Sequence, residues 1–144
     1  MTPLRELQGL TGAEMLELWA RAHDLCMTGR YREAEAILAG LSALDPGESY
    51  FLAARGYVYL AQDRVDEALV HLDAAIALNG HDLAAHATRG EARLRKGLVH
   101  EALEDLDRAA SLDRDGKHPI AARARSVATA ARARLNSGGG THRP

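Results

Sequence analysis

One phrase recurs in this chain at a fixed spacing of 34 residues. GRYREAEAILAGLSALDP begins at Gly29, DRVDEALVHLDAAIALNG at Asp63 and GLVHEALEDLDRAASLDR at Gly97. The copies share Glu33/Glu67/Glu101, Ala34/Ala68/Ala102, Leu38/Leu72/Leu106 and Leu44/Leu78/Leu112. A period of this size restricts the chain to stacked supersecondary units, because one unit cannot bury its own apolar face.

Each period holds two helical patterns. Leu18, Ala22 and Leu25 fall at i, i+4 and i+7, and Ala34, Leu38 and Leu41 follow on a second helix. The counterparts are Leu52, Gly56, Tyr59 with Ala68, Leu72, Ala75, and then His86, Gly90, Arg93 with Ala102, Leu106, Ala109. Ala22, Gly56 and Gly90 occupy a position where a partner helix must come close, and Ala34, Ala68 and Ala102 do so on the second helix. Asp45 and Asn79 are placed to cap the next helix. Asp45 with Glu48, and Thr11 with Glu14, have capping-box spacing.

These residues resemble the tetratricopeptide repeat: 34 residues, helix–turn–helix, small residues at the eighth and twentieth positions, and proline near the end. The resemblance covers roughly residues 13–114. It implies an all-α, right-handed α-solenoid of three repeats, about 15–48, 49–82 and 83–116. A capping helix is expected at 117–135, so that the domain runs 13–135 between an N-terminal segment 1–12 and a disordered tail 136–144. On the cap, Ile120, Ala124, Val127, Ala131 and Leu135 form one stripe, with Arg125 and Arg132 opposite and Pro119 in the first turn. Arg21, Arg55 and Arg89 stand where the family more often has apolar residues, as do His86 and Arg93. The third repeat is therefore expected to pack less well, or to lean on Leu83, Ala87 and Leu94.

Charge and composition narrow the function. Eighteen basic and twenty acidic side chains give no general attraction to nucleic acid or an anionic membrane. No apolar run has the length of a membrane span, and no basic segment followed by an apolar run suggests a secretory signal. Cys26 is the sole cysteine, which points to a reducing, cytoplasmic compartment. No Gly-rich phosphate loop, His-Glu-x-x-His or cysteine pair occurs, and the seven histidines have no clear ligand spacing. No enzyme activity, cofactor or metal is expected. Lys117, Arg123, Arg125, Arg132 and Arg134 make the last helix basic; a solvated helix face is the expected reading, rather than a nucleic-acid surface.

In the resembled family, the other face of each first helix lines a concave groove. The matching positions are Leu16, Trp19, His23, Cys26 and Met27; then Tyr50, Ala53, Tyr57, Leu60 and Ala61; then Ala84, Ala87, Glu91, Leu94 and Arg95. The set is apolar and holds three aromatic rings beside Met27, as partner-binding surfaces tend to. Glu91 and Arg95, four apart, are placed to pair with each other or with a polar client residue. Leu4, Leu7 and Leu10 are placed to fold back over the groove. The expectation is a module that binds an extended apolar segment of a client protein. Its architecture is similar to translocator-class chaperones of bacterial type III secretion. The alternative is a structural or assembly adaptor that docks a fixed partner, and a homodimer is a further expectation. The lysine and asparagine that clamp a heat-shock chaperone's C-terminal carboxylate in this family are absent, because Trp19, His23, Ala53 and Tyr57 stand there.

Overall fold

The computed structural model describes residues 9–141, with side chains through 138. Leu4 and Leu7 lie outside that range; Leu10 is half-buried ahead of the first helix. The described residues form seven helices and no strand. They are α1 (Gly12–Met27), α2 (Tyr31–Leu44), α3 (Ser49–Ala61), α4 (Val65–Leu78), α5 (Leu83–Arg95), α6 (Val99–Leu112) and α7 (Pro119–Thr141). Three helix–turn–helix pairs stack into an α-solenoid, and α7 packs on the last pair.

The same turn joins the two helices of every repeat. Arg30 N–H donates to the Leu25 carbonyl, Arg64 N–H to Tyr59 and Leu98 N–H to Arg93. Such a closure needs one residue in the left-handed region. Gly29 and Gly97 supply it at φ +80° and +78°, and Asp63 adopts it at φ +60° in the second copy. Just past the turn, the repeated glutamate finds its role: Glu33 chelates Arg30 and Glu67 chelates Arg64 at the start of the second helix.

The caps fall later than the sequence suggests. Thr11 does accept from Glu14 N–H. Asp45 and Asn79, however, end α2 and α4 rather than start the next helix. Glu48 caps α3 by accepting from Tyr50 N–H, and Asp82 caps α5 by accepting from Ala85 N–H. The four-residue loops leave room for the preceding helix to close first. Asp82 also accepts from the buried Ser49 hydroxyl at 2.8 Å, which ties the starts of α3 and α5 together.

Each repeat's core is completed by the first helix of the next. Phe51 and Val58 of α3 join Ala22, Leu25, Ile37, Leu38 and Leu41. Ala92 of α5 joins Leu72 and Ala68. Ala124, Ala128 and Ala131 of α7 join Leu103 and Leu106. The small positions are where helices touch. A Cβ on Gly56 would come within 2.6 Å of Leu72 Cγ, and one on Gly90 within 2.8 Å of Leu106 Cγ.

The third repeat departs from the other two in kind. Leu18, Leu25 and Ile37 make an apolar layer in the first repeat. The same positions in the second are Leu52, Tyr59 and His71, with the Tyr59 and His71 rings 4.9 Å apart. In the third they are His86, Arg93 and Asp105. Asp105, buried, accepts from Arg89 Nε at 2.8 Å and Arg93 Nη1 at 2.7 Å, and lies 3.2 Å from His86 Nδ1. His86 Nε2 faces the Gly80 carbonyl at 2.9 Å. The expected packing deficit is thus met by an ionic network in addition to Leu83, Leu94 and the buried Ala87.

The last helix differs from expectation in two ways. Its buried stripe is Ala121, Ala124, Ala128 and Ala131, whereas Ile120 and Leu135 remain exposed. Close contact with α6 selects alanine over larger side chains. It also runs to Thr141, so that Asn136–Thr141 are helical where a disordered tail is expected. Extending an existing helix fixes one residue per added hydrogen bond, so each helical glycine costs only about 1 kcal/mol. No helix among the described residues is long and apolar enough to cross a membrane.

Candidate client-binding groove

The first helices of the repeats lie side by side, α1 against α3, α3 against α5 and α5 against α7. Their shared inner face forms a groove of about 500 Å³. Trp19, His23 and Cys26 line it from α1, and Tyr50, Ala53, Tyr57, Leu60 and Ala61 from α3. Ala84, Ala87, Glu91 and Arg95 line it from α5, and Ile120 and Arg123 from α7. Ala22 and Leu38 form part of the floor. Alanine dominates between the rings because helices this close leave space for little else, and that leaves the groove open.

Four rings form a row along one wall. Tyr50 and Trp19 have centroids 4.9 Å apart, Trp19 and His23 6.1 Å, and His23 and Tyr57 6.4 Å. Both groove tyrosines keep large exposed faces, 44% for Tyr50 and 40% for Tyr57. Partial burial raises both phenol pKa values, and nearby groups add to it, Asp82 and Glu48 at Tyr50, Cys26 and Glu91 at Tyr57. The two hydroxyls are therefore neutral and able to donate. Burial likewise raises the Cys26 thiol, which sits on the floor as a small apolar group. The chain's other aromatics are elsewhere: Phe51 and Tyr31 pack with the first core, and Tyr59 lies under the Arg64 guanidinium at 4.5 Å.

Several sequence expectations need correction. Leu16 and Met27 do not line the groove; they are 62% and 65% exposed. Met27 reaches it only through a 4.0 Å contact of its sulfur with the Tyr57 hydroxyl. Leu94 turns into the core beneath α7. Glu91 and Arg95 do not pair. Glu91 accepts from Arg123 Nε at 2.7 Å, and Arg95 donates to the Leu60 carbonyl at 2.6 Å, with Asp63 at 3.4 Å. Each cross-helix partner lies closer than a neighbour four residues along.

Ile120, expected in the capping stripe, and Arg123, expected on a solvated basic face, both line the groove instead. The loop before α7 has six residues rather than four. Adding those two to the period aligns Ile120 with Ala84 and Arg123 with Ala87, both groove positions. The loop is organised by Asp113, which accepts from Arg125 at 2.8 Å and from His118 N–H. The Arg125 hydrogen bond, foremost, holds the Asp113 carboxyl below its ordinary pKa. Three of the arginines of α7 find carboxylate partners in the same way. Arg123 pairs with Glu91, Arg125 with Asp113 and Arg132 with Asp107.

No family model matches the sequence, and no curated protein matches it. Solved structures do share the architecture. The Yersinia enterocolitica type III secretion translocator chaperone SycD aligns with a TM-score of 0.75 at 20% identity, over 92% of this chain and 93% of that one. PcrH of Pseudomonas aeruginosa, in complex with the chaperone binding region of PopD, gives 0.75 at 21% identity, over 90% and 98%. The first TPR domain of Spaghetti (RPAP3), bound to an HSP90 peptide, gives 0.72 at 21% identity, over 90% and 98%. Likeness at this level of identity concerns the fold: the chain has a tetratricopeptide-repeat solenoid fold, of the kind these chaperones and peptide-binding domains share.

Proposed function

We propose that this protein is a cytoplasmic chaperone whose concave groove holds an extended, largely apolar segment of a client protein. The observation that carries the reading is the row Tyr50–Trp19–His23–Tyr57, exposed along an otherwise alanine-lined groove. Ring faces left open in a channel shaped for a chain are the kind of surface on which a few anchors dominate affinity, each contributing about 2 kcal/mol or more. Structures of the same fold lend support, since SycD is seen with a peptide of the translocator YopD and PcrH with a region of PopD. A secretion client, held apart from membranes until export, fits the apolar lining. The second reading is an assembly adaptor docked through its outer face, where Val70 and Leu78 of α4 are exposed.

Peptides selected from a display library on the intact protein, then measured by calorimetry, test the proposal. Tyr50→Ala with Tyr57→Ala should weaken binding at least about tenfold with little change in Tm, because neither ring is part of the sealed core. Val70→Ser should leave binding unchanged. Normal binding by the double variant, or its unfolding, would remove the groove as the site; loss of binding in Val70→Ser would favour the adaptor.

A further inference from the structure

The two ends of the groove differ in chemistry. One end is the ring row of α1 and α3. The other carries Glu91 and Arg95 of α5 and Arg123 of α7. Arg123 spends Nε and Nη2 on Glu91, at 2.7 and 3.3 Å. Its side chain is 69% exposed, whereas that of Glu91 is 22% exposed. The guanidinium thus covers the carboxylate, and the guanidinium is what an incoming chain meets. Arg95 engages the Leu60 carbonyl and Asp63 through Nη1 alone. Of five N–H donors on each guanidinium, several remain for a ligand. Glu91 is the sole acid among the groove-lining residues, and Asp63 stands beside Arg95 just outside them, so this end presents two guanidiniums, each with one carboxylate partner and with donors to spare.

We infer that the client segment carries an acidic side chain at the end that lies between Arg95 and Arg123, so that the groove reads direction as well as apolarity. The inference rests on the peptide-binding reading above. A carboxylate there accepts the spare donors of two guanidiniums, in a fork geometry suited to it. A lysine at the same place would meet two like charges. The separation follows from the stacking. Neighbouring helix axes lie about 8–10 Å apart, so the way from α1 to the space between α5 and α7 is at most roughly 20–25 Å. An extended chain covers about 3.3 Å per residue. The acid therefore lies no more than about eight residues from the side chain that rests on Trp19.

The probes are the display-selected peptides, resynthesised with Glu, Gln or Lys at the acidic position and titrated against the intact protein at low salt. Glu should bind about three- to fivefold more tightly than Gln, the scale of a partly exposed ion pair, and Lys should bind more weakly than Gln. Glu91→Gln, which unmasks Arg123, should tighten the Glu peptide. Arg123→Glu should invert the order and favour Lys, a result that loss of structure cannot produce. Equal affinities of the three peptides for the unaltered protein would overturn the inference and leave the groove reading standing. A library yielding only peptides indifferent to Tyr50→Ala with Tyr57→Ala would overturn both.

Discussion

Asp105 is 3% exposed and holds two arginines and a histidine ring around one carboxylate. Burial alone would raise its pKa; the hydrogen bonds from His86 and Arg89 and the charges of Arg89 and Arg93 outweigh that and hold it below the ordinary value. Removing one member of such a network strands the others, so Asp105→Ala should cost about 3–5 kcal/mol in urea unfolding at neutral pH. A depressed native pKa means that the stabilisation is complete above the unfolded value of about 3.9 and is lost as pH falls through the native one. Asp105→Asn should therefore flatten the acid limb of the stability profile below about pH 4. Gly56 makes a steric prediction. Alanine gains about 1 kcal/mol in helix propensity, but here its methyl meets Leu72, and overpacking costs about 1–3 kcal/mol. Gly56→Ala should lower Tm, as should Ala68→Leu at a fully buried site; a rise in either would place these residues outside a tight helix contact. The small residues at these positions were legible because their spacing repeats. The caps Glu48 and Asp82 were not, because Asp45 and Asn79 are equally good capping types and only the backbone decides where the preceding helix stops.

At the level of the element, α7 serves two tasks at once. Its alanine stripe seals the third repeat, while Ile120 and Arg123 form the end wall of the groove. Truncation after Gly116 should expose Leu103 and Leu106 and cause aggregation visible by light scattering, with helical signal lost beyond the share of the missing helix. A soluble, equally stable truncated chain would show that α7 seals nothing. The existence of this helix could be read from periodic apolar residues and Pro119. Its rotation could not, because side-chain size points to Ile120, Val127 and Leu135 as the buried stripe, whereas the contact favours the smallest residues. The groove helices were legible in their aromatic members for the opposite reason: Trp19, Tyr50 and Tyr57 lie off the packing stripe, and nothing in the fold competes for them.

Across the whole molecule the packing changes character, from aliphatic in the first repeat, through a tilted pair of rings in the second, to charges in the third. The C-terminal half also leans on ion pairs: Arg125 with the enclosed Asp113 carboxylate and, at the surface, Lys96 with Asp66 and Arg132 with Asp107. Surface pairs are each worth about 0–1 kcal/mol and are screened when the Debye length shrinks to about 3 Å in 1 M salt. Hydrogen exchange in 1 M NaCl should therefore quicken in α7 relative to low salt and leave α1 and α2 nearly unchanged; a uniform response would show that the ion pairs carry no share of the C-terminal end's stability. One consequence of the ring row is optical. Trp19 is the sole tryptophan of the chain, it is half-buried, and it sits in the groove beside Tyr50. Under excitation that selects indole, all emission comes from the groove wall. A chain laid over that wall would dry the indole, shift its emission to the blue and shield it from iodide, so the protein carries an occupancy gauge that needs no label.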